Sequence, residues 1–318
     1  MTELQKVRIL VVGCGAMGGL FAAKLSTVAE VVGYDTSAPH VAHINCQGLR
    51  ITGQTDMLAQ FMAVSDPAVL TGQPFDAVLM LTKSGQTAQA VAVLSVLLKG
   101  EPLWVTLQNG MGNSDILLGI PGSQVARGIT MDASRYAGPG HIEHLIRGRA
   151  TFLGPLRGNA EDAQWLAELL TKAGLPTQVT ADPMDAVWSK FVFNCVMNPI
   201  GALLLGVNAA RYEVAEVCDL IDDMAQECRL VVEALGGRFA FDPMDFVQQV
   251  RSGAVPMSKH AGSMALDIQR GAPTEIEELT GFVVREGQRL NLPVPICKTI
   301  YGLVKGLEKA RALQEAKP

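Results

Sequence analysis

The segment RILVVGCGAMGGLFAAKL, residues 8–25, restricts the fold more than any other part of the chain. Ile9, Leu10, Val11 and Val12 run into Gly13, Gly15 and Gly18 in G-x-G-x-x-G spacing, and a helical stretch of small and apolar residues follows. A strand that turns through such a loop into a helix is the first half of a βαβ unit, whose next strand lies parallel to the first. Gly13 permits the tight turn, Gly15 lets a pyrophosphate approach the backbone, and Gly18 lets helix and strand pack closely. The run Gly13, Cys14, Gly15, Ala16, Met17, Gly18 is therefore the candidate dinucleotide cradle, because the helix opening there offers free amides and a partial positive charge. Asp35 ends the next strand-like run, EVVGYD, where an acidic residue hydrogen-bonds a cofactor ribose. It can equally cap the helix that follows DTSAP.

Short β-rich runs continue to alternate with helical ones: DAVLML, TAQAVAVLSVLL and LWVTLQ, closed by a last strand, helix and strand between RGRATFLG and PTQVTAD. Near-continuous apolar strands in such alternation predict a parallel sheet covered by helices on both faces. After Asp182 the pattern is helical throughout, and 318 residues are long for one core. The expected fold is an α/β Rossmann-type doubly wound parallel sheet, residues 1–182, followed by an all-α domain, residues 183–318. Two polar clusters end strands of the sheet, LTKSGQ with Lys83 and LQNGMGN with Gln108 and Asn109. Ligands of open α/β sheets lie beyond the carboxyl ends of the strands, so both clusters are expected to face the cofactor.

Composition removes several function classes. The net charge is −5, from 26 basic and 31 acidic side chains, and no block alternates Lys and Arg with aromatics, so nucleic acid is not an expected partner. The N-terminal apolar run is too short for a signal peptide and no apolar stretch reaches the length of a membrane span, which predicts a cytoplasmic protein with no membrane partner. Six scattered cysteines without a C-x-x-C pair read as reduced, buried thiols. Of the five histidines, His141 and His144 point to opposite faces of a strand, and His40 and His43 have no evident third ligand. His40 and His43 are read as surface or capping residues, His141 and His144 as unable to chelate one metal together, and no metal is expected.

VWSKFVFNCVMNP, residues 187–199, sets Lys190, Asn194 and Asn198 four apart in an otherwise apolar helix, as one polar stripe. A hydride delivered to a carbonyl leaves an alkoxide that must be protonated, and a desolvated ammonium suits that task. Alternatively the lysine snorkels to the surface and the asparagines bridge helices. Ser263, Asp267 and Glu275 form a second polar set in GSMALDIQRGAPTEIEEL, with Glu275 expected in the first turn of a helix.

In chain order GCGAMG, TK, LQNG, WSKFVFNCVMNP, SMALDIQRGAPTEI and GFVVREGQRLNLPVP resemble the ketopantoate reductase family, the 2-dehydropantoate 2-reductases, over essentially the whole chain. The specific part is K-x-x-x-N-x-x-x-N combined with S-M-x-x-D-x-x-x-x-x-x-x-E. The resemblance implies hydride transfer from a nicotinamide to a branched 2-oxo acid, most simply ketopantoate to pantoate. It implies Lys190 as general acid, Glu275 on the hydroxyl side of the substrate near it, and Asn194, Asn198, Asn208 and Ser263 on the substrate's carboxylate and hydroxyl. Lys83 and Asn109 would lie against the cofactor, Asn109 close to the reacting carbon, and a homodimer would form through the helical domain. Two departures stand out. Members that use NADPH place an arginine just after the second strand, whereas this chain has Asp35 and Thr36, so NAD is expected over the family's usual NADP. Met131 and Asp132 stand where many relatives carry a Thr pair. The family also includes NAD-dependent 2-hydroxyacid dehydrogenases such as D-mandelate dehydrogenases. A non-catalytic dinucleotide sensor is the rival of another class, but a sensor has no need of Lys190 as proton donor.

Overall fold

The computed structural model describes residues 7–148, 150–257 and 261–315. Contacts divide them into two compact units, one comprising residues up to Gln108 with Gly112–Pro183, the other Asn109–Met111 with the residues from Met184 onward. The first unit contains β1 (Arg8–Val12), α1 (Ala16–Leu25), β2 (Glu30–Tyr34), α2 (Ala38–Gln47), β3 (Leu49–Gly53), β4 (Met57–Ala59), β5 (Met62–Val64), β6 (Ala77–Met80), α3 (Thr87–Leu97), β7 (Leu103–Thr106), α4 (Asn113–Leu118), β8 (Val125–Thr130), β9 (Ala133–Gly138), β10 (His141–Ile146), β11 (Thr151–Arg157), α5 (Ala160–Lys172) and β12 (Thr177–Val179). The helical part follows as α6 (Pro183–Leu203), α7 (Asn208–Glu213), α8 (Ala215–Ala234), α9 (Asp245–Arg251), α10 (Ser263–Gln269), α11 (Thr280–Arg289) and α12 (Pro295–Glu315).

The large sheet has the order β12-β11-β8-β7-β6-β1-β2-β5. β1 lies inside it, parallel to β2 with Arg8 opposite Glu30 and to β6 with Ile9 opposite Ala77. Its side chains alternate between two cores. Ile9 and Val11 pack with Phe21, Leu25, Leu166 and Leu170 of α1 and α5, while Leu10 and Val12 pack with Leu94 and Leu117 of α3 and α4. A strand buried on both faces must be apolar at every position, which is why this one reads as an unbroken hydrophobic run.

Two features depart from the expected sheet. β11 runs antiparallel to β8, with Thr151 opposite Thr130. Parallel strands require a long crossover, usually helical, and residues 133–146 instead supply the β9-β10 hairpin, so the chain returns in the opposite direction. That hairpin belongs to a second sheet, β4-β3-β10-β9, whose Leu49, Ile51 and Ile142 pack on Leu20, Ala23, Val41 and Ile44. The reading of His40 is corrected as well, since it is buried, as is His144. His40 Nδ1 accepts from the Gly140 amide at 2.9 Å, so Nε2 carries the proton and donates to the Cys14 carbonyl at 2.9 Å. Of the cysteines, Cys46 is exposed and Cys218 half-buried, whereas Cys14, Cys195, Cys228 and Cys297 are buried free thiols.

In the second unit α6 carries Pro199 within the helix. Proline lacks the N–H that would bond the carbonyl four residues back, that of Cys195. Thr280, fully buried at the start of α11, supplies the missing donor, its Oγ1 lying 2.9 Å from the Cys195 oxygen. Thr280→Val keeps the shape of the side chain and strands that carbonyl. It is expected to lower the unfolding free energy by about 1–3 kcal/mol in a urea titration. A loss below about 0.5 kcal/mol, the level of a neutral surface substitution, would show that the carbonyl finds another donor.

Candidate active site

The glycine loop is held from both sides. Gly13 adopts φ +85°, open to glycine at little cost, and its amide donates to the Tyr34 carbonyl at 2.7 Å. A Cβ on Gly18 would fall 1.7 Å from the Gly13 carbonyl oxygen, so only glycine lets α1 start this close to the loop. At Gly15 a Cβ would meet nothing within 4 Å. Gly15 is the N-cap of α1, no side chain caps the helix, and its first turn, which holds Ala16 and Met17, carries no acidic residue. An open approach onto uncapped amides fits the pyrophosphate of a dinucleotide. The Cys14 thiol is held far above its ordinary pKa, by burial and then by the charge of Asp35, so it is an inert packing group.

Asp35 does more than either sequence reading required. Its Oδ2 accepts from the Cys14 amide and its Oδ1 from the Ser37 amide, both at 2.8 Å. The carboxylate thus ties the glycine loop to the start of α2. Each oxygen keeps a further lone pair for a ribose hydroxyl.

Lys83 is exposed, three residues beyond β6. Gln108, expected to face the cofactor, is instead turned inward and is only 4% exposed. Its Nε2 donates to the Thr82 carbonyl at 2.8 Å and to Thr87 Oγ1 at 2.8 Å, and its Oε1 accepts from Thr106 Oγ1 at 2.9 Å. Three buried acceptors and donors claim the amide, and a buried carboxamide cannot leave them unpaired cheaply. Gln108 therefore fixes the loop carrying Lys83 rather than contacting a ligand. Behind it Arg127, fully buried, donates from Nη1 to Ser114 Oγ at 2.9 Å; burial, opposed by the charge of Asp115, brings its pKa to about 10. Asp132 buttresses the β9-β10 hairpin. Its Oδ1 accepts from the Gly148 amide at 3.0 Å and lies 3.1 Å from His144 Nε2. Burial pushes its pKa up, but the hydrogen bonds from His144 and Gly148 outweigh burial and leave it below the usual value.

In the second unit Lys190 is half-buried, Asn194 buried and Asn198 half-buried on one face of α6. Asn194 Nδ2 donates to Asn109 Oδ1 at 3.4 Å. The Asn109 loop rests on the segment that carries Glu275: the Met111 amide donates to the Glu278 carbonyl at 3.4 Å, and a Cβ on Gly110 would lie 2.8 Å from that of Glu278. Glu275 itself lies outside any helix, because α11 begins only at Thr280. The Leu279 amide donates to the Glu275 carbonyl at 3.1 Å, a single α-turn, and the Gly281 amide then reaches back to the Ile276 carbonyl at 2.8 Å, one residue further than an α-helix allows, so residues 276–281 form a wide turn. Glu308 anchors this turn, its Oε1 accepting from the Thr274 amide and hydroxyl at 3.0 and 2.7 Å.

Asn208 and Ser263 are the first residues of α7 and α10. Arg211, which sequence reasoning missed, links the first residue of α7 to the Ala261 carbonyl, two residues before α10. Its Nη1 donates to the Met197 carbonyl at 3.2 Å, and its Nη2 to Asn208 Oδ1 and, at 3.3 Å, to the Ala261 carbonyl. A lone basic residue in GVNAARYE signals nothing by spacing, since its acceptors lie elsewhere in the chain. Among the described residues no group of three or more His, Cys, Asp or Glu is placed to hold a metal, and no helix is long and apolar enough to cross a membrane.

Comparison with known proteins follows the same division. Residues 9–158 match the family profile "Ketopantoate reductase PanE/ApbA", and residues 182–308 match "Ketopantoate reductase PanE/ApbA C terminal". The chain is 30% identical to a 2-dehydropantoate 2-reductase of Pyrococcus abyssi, over 95% of its own length and 98% of the relative's. Among solved structures it is similar to a PanE/ApbA family ketopantoate reductase from Ralstonia eutropha, with a TM-score of 0.85, 29% identity and coverage of 96% and 100% of the two chains. It is also similar to D-mandelate dehydrogenase in complex with NADH, with a TM-score of 0.84, 25% identity and coverage of 96% and 99%. With both profiles matched and a full-length relative at this identity, the chain belongs to the ketopantoate reductase family.

Proposed function

We propose that the chain is an oxidoreductase that reduces a branched 2-oxo acid, 2-dehydropantoate first among them, to its 2-hydroxy acid, here (R)-pantoate, using NADH in preference to NADPH. The observation that carries the reading is the polar row Lys190, Asn194, Asn198 on an otherwise apolar helix, with Asn109 hydrogen-bonded to its middle member. The relatives named 2-dehydropantoate 2-reductase support the substrate, and the open, uncapped glycine loop with Asp35 supports the cofactor.

When bound at Gly13–Gly18, the nicotinamide dinucleotide supplies a hydride. Lys190 holds a proton on Nζ and gives it to the oxygen of the carbonyl as charge develops there. Asn194, Asn198, Asn208 and Ser263 hold the substrate's polar ends, and Glu275 takes the hydroxyl side near the lysine. Lys83 and Asn109 orient the cofactor, Asn109 beside the reacting carbon. The reading includes a dinucleotide-binding domain, residues 1–182, and a helical substrate and dimerisation domain, residues 183–318, in a cytoplasmic homodimer without metal, nucleic acid or membrane.

A second reading, an NAD-dependent D-2-hydroxyacid dehydrogenase of mandelate type, is favoured by the likeness to the NADH complex and by Asp35. Initial rates with a panel of 2-oxo acids and both cofactors separate the two. The highest kcat/KM is expected for 2-dehydropantoate among branched 2-oxo acids. A maximum at phenylglyoxylate selects the mandelate-type reading, and no turnover of any 2-oxo acid rejects both in favour of a sensor.

A further inference from the structure

Glu275 lies outside any helix, and one stripe of α12 holds the residues on either side of it. Tyr301, Lys305 and Glu308 are spaced four and three apart, which places them on one face of that helix. Glu308 Oε1 accepts from the amide and the hydroxyl of Thr274, the residue before Glu275, at 3.0 and 2.7 Å. The Tyr301 hydroxyl donates to Oε1 of Glu277, two residues after Glu275, at 2.8 Å. Lys305 Nζ lies 3.1 Å from Glu277 Oε1 and 3.1 Å from Glu308 Oε2, and so joins the two anchors. Arg285 of α11 completes the set, its Nη1 donating to Glu277 Oε2 at 3.1 Å and its Nη2 to the Glu277 carbonyl at 2.8 Å.

Stability alone is a poor account of this network. The Glu277, Lys305 and Arg285 side chains are 40%, 43% and 56% exposed, and ion pairs open to water to that degree add little. What the network does fix is direction. A side chain on a helix is aimed by the backbone ladder, whereas one in a turn is aimed by whatever holds its neighbours. Here Ile276 and Leu279 are fully buried in the core, Thr274 and Glu277 are tied to α12, and Glu275 stands half-buried between them. Gly281 lets the network close over the turn, since a Cβ there would lie 3.0 Å from the Tyr301 ring and 3.1 Å from Arg285 Nη1. A displacement of about 1 Å in a group that contacts substrate is enough to cost most of its effect.

We propose that Glu308 and Tyr301 of α12 are positioning residues for the substrate: by holding Thr274 and Glu277 they aim the Glu275 carboxylate at the hydroxyl of the 2-oxo acid. This rests on the reading of Glu275 as the group that takes the hydroxyl side of the substrate. The selection of a hydroxylated 2-oxo acid over its deoxy counterpart then depends on a helix that itself contributes no residue to the site, and no bond of the substrate changes at α12.

The test compares 2-dehydropantoate with 3,3-dimethyl-2-oxobutanoate, the same skeleton without the hydroxyl, by the ratio of their kcat/KM values with NADH. The wild type is expected to prefer the hydroxylated acid about tenfold or more, the scale of a hydrogen bond to a charged group. Glu308→Ala should lower that ratio about threefold or more, chiefly through KM, as residues coupled in one network do. Glu308→Gln keeps an oxygen for Thr274 and should keep the ratio. In a Glu275→Ala background Glu308→Ala should change it no further, because there is no carboxylate left to aim. Each ratio is taken on one protein, so a general loss of stability cancels, and should Glu308→Ala not fold, Tyr301→Phe decides by the same ratio in both backgrounds. A ratio unmoved in Glu308→Ala and Tyr301→Phe overturns the proposal, as does one that falls equally without Glu275 or as far in Glu308→Gln as in Glu308→Ala. A wild type without the preference, or a Glu275→Ala variant that retains it, instead removes Glu275 as the hydroxyl ligand, and no turnover of any 2-oxo acid removes the reductase reading; either result takes the proposal with it.

Discussion

Replacing Lys190 by alanine is expected to lower the turnover of 2-dehydropantoate by about a hundredfold or more, the usual scale for loss of a general acid. The dissociation constant for the cofactor should not move, because the glycine loop and Asp35 belong to the other unit of the chain. Lys190 stands on α6 with buried apolar neighbours, Phe191 and Val187, and shares its face with Asn194 and Asn198. Its stem therefore has packing to lose as well as a charge, and Lys190→Met keeps most of the stem while removing the proton. Lys190→Arg keeps the positive charge on a group that does not give up its proton in this pH range. If proton donation is the role, all three variants are slow; if charge alone matters, Arg restores the rate. Near-normal turnover in the methionine variant would reduce Lys190 to a helix residue whose stem packs and whose head is solvated.

The catalytic efficiency with NADH should exceed that with NADPH by a factor between about five and a thousand, the repulsion of two like charges about 4 Å apart over the range of effective dielectric near a surface. The aspartate cannot swing clear of a 2'-phosphate without cost, since both its oxygens are anchored, to the amides of Cys14 and Ser37. The same anchoring decides which variant tests the idea. Asp35→Asn would turn an NH2 group toward one of those amides and disturb the loop itself. Thr36→Arg leaves both hydrogen bonds in place and adds a cation at an exposed position next to the ribose site. Its NADH to NADPH ratio should fall at least tenfold, about 1.4 kcal/mol. A parent enzyme that already favours NADPH sinks the prediction, and an unmoved ratio in Thr36→Arg shows that Asp35 acts as loop anchor and helix cap only.

The glycine loop, the two-sided apolar strands and the α6 row could all be read from the chain because each is local. Gly13 to Gly18 span one turn, β1 alternates between two cores within five residues, and Lys190, Asn194 and Asn198 repeat at the helical period. Backbone geometry dictates these patterns within a short window, whatever lies opposite. The direction of a polar side chain obeys no such window. Gln108 carries the same amide whether it faces a cofactor or the hydroxyls of Thr82 and Thr87, and only the folding of β6 against β7 turns it inward. Glu275 follows a proline and a threonine as a first-turn residue does, yet the wide turn over residues 276–281 and the hold of Glu308 on Thr274 leave it outside the helix. β11 reverses because its connection forms a hairpin in another sheet. Arg211 acquires its place from carbonyls 14 and 50 residues distant and from the missing side chain of Gly201. Periodicity records which face of an element is buried, whereas the partner of each buried polar group is chosen by packing between segments far apart in the chain, and that choice exists only once they have come together.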